Sequence, residues 1–507
     1  MADALTGNVA DLVTEAAGRA PEHPALVDQP AGSSLTWRQV DDAVNAYAAR
    51  VLEAGLRPGD RVAVALGGGA RLCVALFGVL RAGGVLVPLS TDLPEPELRR
   101  VLSDSGARLM IGSGPDDGPA SLAPPDLDAP AGGAPAPDGS ARGGEDLAVL
   151  CYTSGTAGVP RGVMLSHRAL LSNVEQCAAL RPAPVNATDR VLLAVPLYHL
   201  YGLGPGLLQV AAAGATAVLM DRFSTEGALE ACERHRVTAM VGVPPMYQAF
   251  SGVDGERLAS ALASMRLLTS GAAPLPGPVL AAIRQATGLS VFEGYGLTET
   301  GPVLTSTLVG GYAKAGSVGR PIPGVELRLV DSDGRPLISI SDPDEPLDEL
   351  DEGEESETGL VSVRGPNLFS GYWPDGAHGP DEEGWFRTGD VGYLDADGDL
   401  HLVDRANDLI IVNGFNVYPH EVERVLDELS EVAESAAVGV PDERTGERVK
   451  AVVVLRPGAE LTEQAVREHC EQRLAKFKVP DVVEFVDALP HSVTGKLRRA
   501  SLRGTPA

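Results

Sequence analysis

Residues 36–89 read TWRQVDDAVNAYAARVLEAGLRPGDRVAVALGGGARLCVALFGVLRAGGVLVPL, and this stretch decides the fold class. Thr36 and Gln39 stand at capping-box spacing ahead of an apolar run with helical period. A helix is therefore predicted through about Glu53, with Gly55 helping to end it. The turn Arg57–Asp60 leads into the apolar strand Arg61–Leu66. A second helical pattern covers about Arg71–Arg81, glycines follow at Gly83 and Gly84, and Val85–Leu89 reads as another strand. Strands separated by helices of this length indicate βαβ units. The fold class is accordingly α/β, with a mostly parallel sheet covered on both faces.

Further along, Ser113–Asp146 is dominated by Pro, Gly, Ala and Asp, and is predicted to be a long surface insertion. The α/β alternation resumes at Leu147–Tyr152. Leu203–Met220 is apolar enough to raise the question of a membrane span, but its Gly and Ala content and Pro205 favour a buried helix followed by a buried strand. From about Val325 to Gly398 the pattern changes to short strands with tight turns at Asp331–Gly334 and Asp395–Gly398. Beyond Arg405 a compact α+β segment is expected, with strands near Ala436–Val440 and Lys450–Leu455 and a helix near Glu463–Ala475. The expected division is a large N-terminal domain over 1–404, including a β-rich subdomain at about 325–404, and a small C-terminal domain over 405–507.

At 507 residues the chain exceeds one ordinary core, which fits that division. A formal net charge of −28 argues against a nucleic-acid partner, because phosphate binding needs basic surface. Any anionic substrate must then be met by local positive groups. The acidic run Asp342–Glu357 has no hydrophobic period and reads as a solvated loop. The five cysteines are scattered without a CxxC pair, which speaks against a disulfide framework or a structural zinc site. Met1–Ala20 lacks the basic and apolar regions of a secretory signal. With no integral membrane segment expected, the expected location is cytoplasmic.

Four clusters carry chemistry. Tyr152–Gly162, YTSGTAGVPRG, follows an apolar strand, and its glycines, hydroxyls and one cation are what a phosphate cradle needs. It lacks the lysine pattern of P-loop nucleotide enzymes, and on composition alone a polar surface loop is an equal alternative. Glu293–Thr300, EGYGLTET, follows the predicted apolar strand Leu289–Phe292. It offers Tyr295 for stacking on a base, Thr298 as a donor to phosphate, and Glu299 for a hard cation. Trp385–Asp390, WFRTGD, places a carboxylate after a glycine turn, suited to ribose hydroxyls or to a plain structural turn. Near the end, Leu489–Arg499 sets Lys496 on a glycine turn, as a mobile cation or as part of a solvated basic tail.

Taken together, YTSGTAGVPRGV, GYGLTET, WFRTGD, DRANDLIIVNGFNVYPHEVE and VTGKLRR resemble, in order and spacing, the adenylate-forming superfamily of acyl-CoA synthetases, peptide-synthetase adenylation domains and luciferases. The resemblance runs from about Leu35 to Arg499. It implies ATP, Mg²⁺ and coenzyme A as the small molecules used. It implies that Thr153, Ser154, Gly155, Thr156, Gly158 and Arg161 wrap the β- and γ-phosphates. Gly271, Ala272 and Ala273 would border the adenine, while Glu293, Gly294, Tyr295, Gly296 and Thr298 line the nucleotide and Tyr295 stacks on the base. Glu299 with Thr153 would lie at Mg²⁺, Asp390 and Arg405 at the ribose, and Lys496 at the α-phosphate. His199 matches an aromatic position beside the acyl pocket, and Gly414 with Phe415 the thioester-forming arrangement after rotation about Asn407. The chain departs from the family at Ala157 and Arg161, usually Thr and Lys, and at Asn407, more often Lys or Asp.

The acid can be narrowed by the same resemblance. Relatives that take malonate-like diacids place an arginine where Gly294 stands. Amino-acid-activating relatives carry an Asp that Tyr198–Tyr201 lacks. With Val243-Pro244-Pro245 and Val303-Leu304 as walls, an apolar monocarboxylate such as a fatty acid fits best, with aryl acids as the other option. Free CoA is the first choice of acceptor, its phosphates meeting Lys476, Lys478, Arg498 or Arg499. An acyl carrier protein as acceptor, or a nucleotide-binding relative without turnover, are the alternatives.

Overall fold

Thr36 caps a helix at Trp37–Glu53, as its sequence context predicts. Its hydroxyl accepts from the Gln39 N–H at 3.3 Å, and the Gln39 side chain accepts from the Thr36 N–H at 2.9 Å. Gly55, at φ 88°, ends the helix in the left-handed conformation, with its N–H donating to Leu52 O. Thr36→Ala removes one half of this box and is expected to lower unfolding free energy by about 1 kcal/mol, read from urea denaturation.

The computed structural model describes residues 6–29, 32–128, 142–153, 160–340, 354–405, 408–412, 415–442, 444–492 and 495–503, without the side chains of residues 404, 405, 415, 416 and 500. Contact density divides the chain into two compact units. The first is Met1–Leu327, Ile340–Leu347 and Val363–Phe386; the second is Arg328–Ser339, Asp348–Ser362 and Arg387–Ala507.

The first unit holds two sheets. One has six strands in the order Ala120–Leu122, Leu109–Gly112, Arg61–Ala65, Val85–Pro88, Leu147–Thr153, Arg161–Ser166. All neighbours are parallel except the last pair, which is an antiparallel hairpin. The helix Ala70–Arg81 is the crossover between Arg61–Ala65 and Val85–Pro88, completing the predicted βαβ unit. One expectation is corrected: Ser113–Asp146 is not insertion throughout, since Ala120–Leu122 adds a parallel edge strand. Three residues are too few to show a period in sequence.

The other sheet has nine strands, with a parallel centre running Val291–Gly296, Leu267–Ser270, Ala239–Gly242, Arg190–Leu193, Thr216–Met220, Pro24–Gln29. Its interior is apolar, with Leu192, Met240, Tyr247, Phe250, Leu268 and Ile283 all buried. The apolar run at 203–220 becomes a π-helix, Gly202–Leu208, then the helix Gln209–Ala213 and the strand Thr216–Met220. Among the described residues no helix is long and apolar enough to cross a membrane.

In the second unit, residues 390–394 of the strand Trp385–Leu394 pair antiparallel with Leu400–Arg405, from Asp390↔Arg405 to Leu394↔Leu400. The tight turns read from sequence are present, with Gly334 N–H donating to Asp331 O and Gly398 N–H to Asp395 O. Beyond them Val432–Asp442 and Gly446–Leu455 form a long hairpin, joined by Ile410–Val412 and Val482–Phe485. The helices Pro419–Leu426 and Glu463–Glu471 supply Val422, Leu426, Val466 and Cys470 to its core. All five cysteines are free and buried.

Candidate active site

The hairpin at the edge of the six-stranded sheet sets the first part of the site. Its register runs from Leu147↔Ser166 to Thr153↔Arg161, so those two residues face each other across the mouth of the intervening loop. Ser154, Gly155, Thr156, Ala157 and Gly158 of that loop lie outside the described residues. The exposed Arg161 lays its guanidinium 3.6 Å from the centre of the Tyr372 ring. The Tyr372 hydroxyl donates to Glu299 Oε1 at 2.7 Å. Burial, with the Glu299 charge next, pushes the Cys151 thiol up to about 12. A half-buried carboxylate is a hard oxygen donor, of the kind that a small dication such as Mg²⁺ would take.

Glu299 itself sits on the single 3₁₀ turn Thr298–Thr300. That turn is fixed from beneath. The buried Thr300 hydroxyl bonds to Leu297 and Pro302 carbonyls, and Asn367 Nδ2 donates to Thr300 O at 2.6 Å. The Glu299 carbonyl accepts from Phe369 N–H.

The second part lies on the strand Val291–Gly296. This is a correction: Glu293–Gly296 does not follow the strand but completes it, pairing with Val303–Ser306 on its far side. Gly296 is required by space, because a Cβ there would stand 1.8 Å from Pro302 O. Tyr295 is 8% exposed, and Gly294 lies opposite Ser306. Glu293 turns to the chain's own backbone: its Oε2 accepts from Leu275 N–H at 3.0 Å, and its own N–H donates to Thr307 Oγ1. Burial pushes the Glu293 carboxyl up to about 7, the Leu275 N–H partly opposing this. Its carboxylate thereby supports the loop that begins Gly271-Ala272-Ala273.

Within that loop Ala272 takes φ 72°, a left-handed conformation uncommon for a residue with a side chain. Gly271 faces the ring of Tyr201, which would lie 2.7 Å from a Cβ. The half-buried His199 sits in the turn just before, its Nδ1 accepting from Tyr201 N–H at 3.3 Å.

The second unit carries the remaining candidates. Asp390 and Arg405 are directly opposed across their strand pair, so backbone pairing alone brings the two ribose candidates to one place. Here too a detail is corrected. Asp390 lies inside a continuous strand rather than after a turn, because Gly389 at φ 78° kinks the chain without interrupting it. The Asp390 N–H donates to Thr388 Oγ1, and its side chain is 6% exposed. The Arg405 and Phe415 side chains, and Asn407 and Gly414 entirely, lie outside the described residues.

Lys496 is exposed on a tight turn, where Gly495 takes φ 82°. The Lys496 N–H donates to Ser492 Oγ and its carbonyl accepts from Ser492 N–H. Of the proposed CoA-phosphate cations, Arg499 is taken up by Glu423, and Lys478 by Glu421 at 2.7 Å. Lys476 and Arg498 are exposed.

Sequence reasoning missed Tyr372 and Asn367. Both lie well beyond the motifs they serve, and the one local signal is an aromatic pair between Gly371 and Pro374.

Comparison with known proteins identifies the family. The AMP-binding enzyme family matches residues 13–373, and the AMP-binding enzyme C-terminal domain matches residues 421–496. A feruloyl-CoA synthase from Amycolatopsis sp is 37% identical, covering 93% of this chain and 94% of its own length. A long-chain-fatty-acid–CoA ligase from Yersinia pestis is 32% identical, covering 97% and 93% respectively. Among solved structures, ATP-bound MatB from Rhodopseudomonas palustris superposes with a TM-score of 0.86 at 32% identity, covering 98% of each chain. The chain belongs to the AMP-binding enzyme family, within its adenylate-forming acyl-CoA synthetases.

Proposed function

We propose that the chain activates an apolar monocarboxylic acid, a fatty acid first, and passes it to coenzyme A in the cytoplasm. In the first half-reaction an acid oxygen attacks the α-phosphorus of ATP, and pyrophosphate leaves. In the second the CoA thiol attacks the acyl carbonyl, and AMP leaves. The observation that carries the nucleotide chemistry is the meeting of Arg161 and Glu299 on Tyr372.

Arg161 and the loop before it take the terminal phosphates, and Tyr295 takes the adenine. Asp390 and Arg405 hold the ribose. Glu299 with Thr153 would hold Mg²⁺, which offsets phosphate charge when bound. Lys496 supplies a cation at the α-phosphate and carboxylate oxygens during adenylation. The working small domain is proposed to be 405–507. It turns about Asn407 to exchange Lys496 for Gly414 and Phe415 between half-reactions. The remainder, 1–404, is the large domain, with 325–404 as its β-rich part.

The acid class rests on apolar packing at Tyr201 and, separately, on the residue at position 294. Gly271 abuts its ring, Val243 is buried, and Gly294 offers no charge for a second carboxylate. A second reading, an arylacrylic acid, is favoured by the likeness to a feruloyl-CoA synthase. Incubation with ATP, CoA and a panel of aliphatic, aryl, dicarboxylic and amino acids, followed by mass spectrometry, separates the two. Aliphatic acyl-CoA as the dominant product is expected. Aryl-CoA in its place would establish the second reading. Acyl-AMP that no CoA concentration converts would point to a carrier-protein acceptor, and no pyrophosphate with any acid to a binding protein without turnover.

A further inference from the structure

Arg161 and Glu299 carry opposite charges at the same end of the site, yet what the described residues show is a contact of each with Tyr372 and no ion pair between them. What each one meets is Tyr372. The guanidinium lies on the ring face at 3.6 Å, and the carboxylate accepts from the hydroxyl at 2.7 Å. A directly paired Arg and Glu would satisfy each other and leave little field for a phosphate or a metal. An aromatic spacer holds both in place while keeping their charges available.

The backbone around Tyr372 is fixed tightly enough for this task. On one side Met164 N–H donates to Gly371 O at 3.1 Å and Trp373 N–H to Gly162 O at 2.8 Å, which ties the segment to the strand that carries Arg161. On the other, Tyr372 N–H donates to Ala377 O at 3.1 Å and Gly376 N–H to Tyr372 O at 2.8 Å. Gly371, at φ 95°, allows no side chain, because a Cβ would stand 2.0 Å from Gly376 O. The ring is oriented by the edge of Phe369, 5.1 Å between centres at 78°. Phe369 in turn donates its N–H to the Glu299 carbonyl. One short segment thus sets the ring, the cation and the carboxylate. The stacking also suits the family departure at this position, since a guanidinium presents a flat face to a ring and an ammonium does not.

We propose that Tyr372 is a positioning residue for the triphosphate end of the site: its hydroxyl orients Glu299 toward the metal, its ring orients Arg161 toward phosphate, and the two are kept from pairing. The inference rests on the proposed roles of Arg161 and Glu299. It divides into two separable effects. Tyr372→Phe keeps the ring and loses only the hydroxyl; Tyr372→Leu loses both.

The probes are Mn²⁺, followed by electron paramagnetic resonance in the presence of ATP, and ATP alone in EDTA, followed by calorimetry. For Tyr372→Phe, Mn²⁺ binding to the protein–ATP complex is expected to weaken about tenfold, with metal-free ATP affinity unchanged. For Tyr372→Leu, metal-free ATP affinity is expected to fall about threefold as well. Circular dichroism and thermal unfolding confirm that each variant is folded, and Tyr372→Phe, which leaves the packing intact, carries the test if Tyr372→Leu does not fold. Wild-type binding of Mn²⁺–ATP with an unchanged Tyr372→Phe would overturn this inference alone. A wild type that binds no metal–ATP would overturn the reading of the site and this inference with it.

Discussion

Lys496→Ala is expected to lower acyl-adenylate formation by about two to three orders of magnitude. Thioester formation from supplied acyl-AMP should be nearly unchanged. The turn that carries Lys496 is held by its main chain, through the N–H to Ser492 Oγ and the carbonyl to Ser492 N–H. Alanine keeps both bonds, so the substitution removes a cation and leaves the turn intact. The proposed role for that cation is confined to the step in which a carboxylate approaches a polyanionic phosphate. Pyrophosphate release measures the first half-reaction, and acyl-CoA from synthetic acyl-AMP measures the second. If both fall equally in a folded variant, the division of labour between two domain arrangements is wrong.

Glu293→Gln is expected to stabilise the protein at alkaline pH. The buried carboxyl holds its proton up to about 7, against an ordinary value of 4.5. The folded state therefore binds this proton more tightly than the unfolded chain does. Stability from this group is greatest below pH 4.5, declines as the pH rises toward 7, and is level above it. The shift corresponds to roughly 3 kcal/mol lost by pH 8. Glutamine keeps an oxygen to accept the Leu275 N–H but has no proton to lose. Urea unfolding should show the variant more stable than wild type at pH 8, by up to about 3 kcal/mol, and the gap should close near pH 4.5. A gap that is the same at both pH values would show that Glu293 is not the titrating group.

How much of this was legible in the sequence depended on whether partners were local. The capping box from Thr36 to Gln39 is four residues long, and its reading carried over atom by atom. The α/β alternation and the buried helix and strand of 203–220 were legible because apolar period and Pro205 act within one segment. The motifs pointed to candidate residues for a nucleotide site, but not to how each is held. Glu293 looks like a ligand in sequence, and only the strand register and the approach of Leu275 reveal it as support for a loop. Asp390 reads as a turn residue beside Gly389, and only cross-strand pairing shows that it continues a strand. Tyr372 lies 73 residues from Glu299, and no local pattern announces a hydroxyl that must reach so far along the chain.

The pairing of Thr153 with Arg161 at the mouth of the intervening loop has a practical consequence for engineering. Thr153 and Arg161 mark the ends at which the segment between them joins the strands. An exchange of that segment for a relative's is best made with both end residues and the length retained, so that the strand register is kept. Adding or removing one residue inside one of the strands is a different operation. It would turn every following side chain to the other face of the sheet, Arg161 or Thr153 included. Libraries aimed at nucleotide preference therefore belong inside the loop, and the residues on either side should be left as a fixed frame.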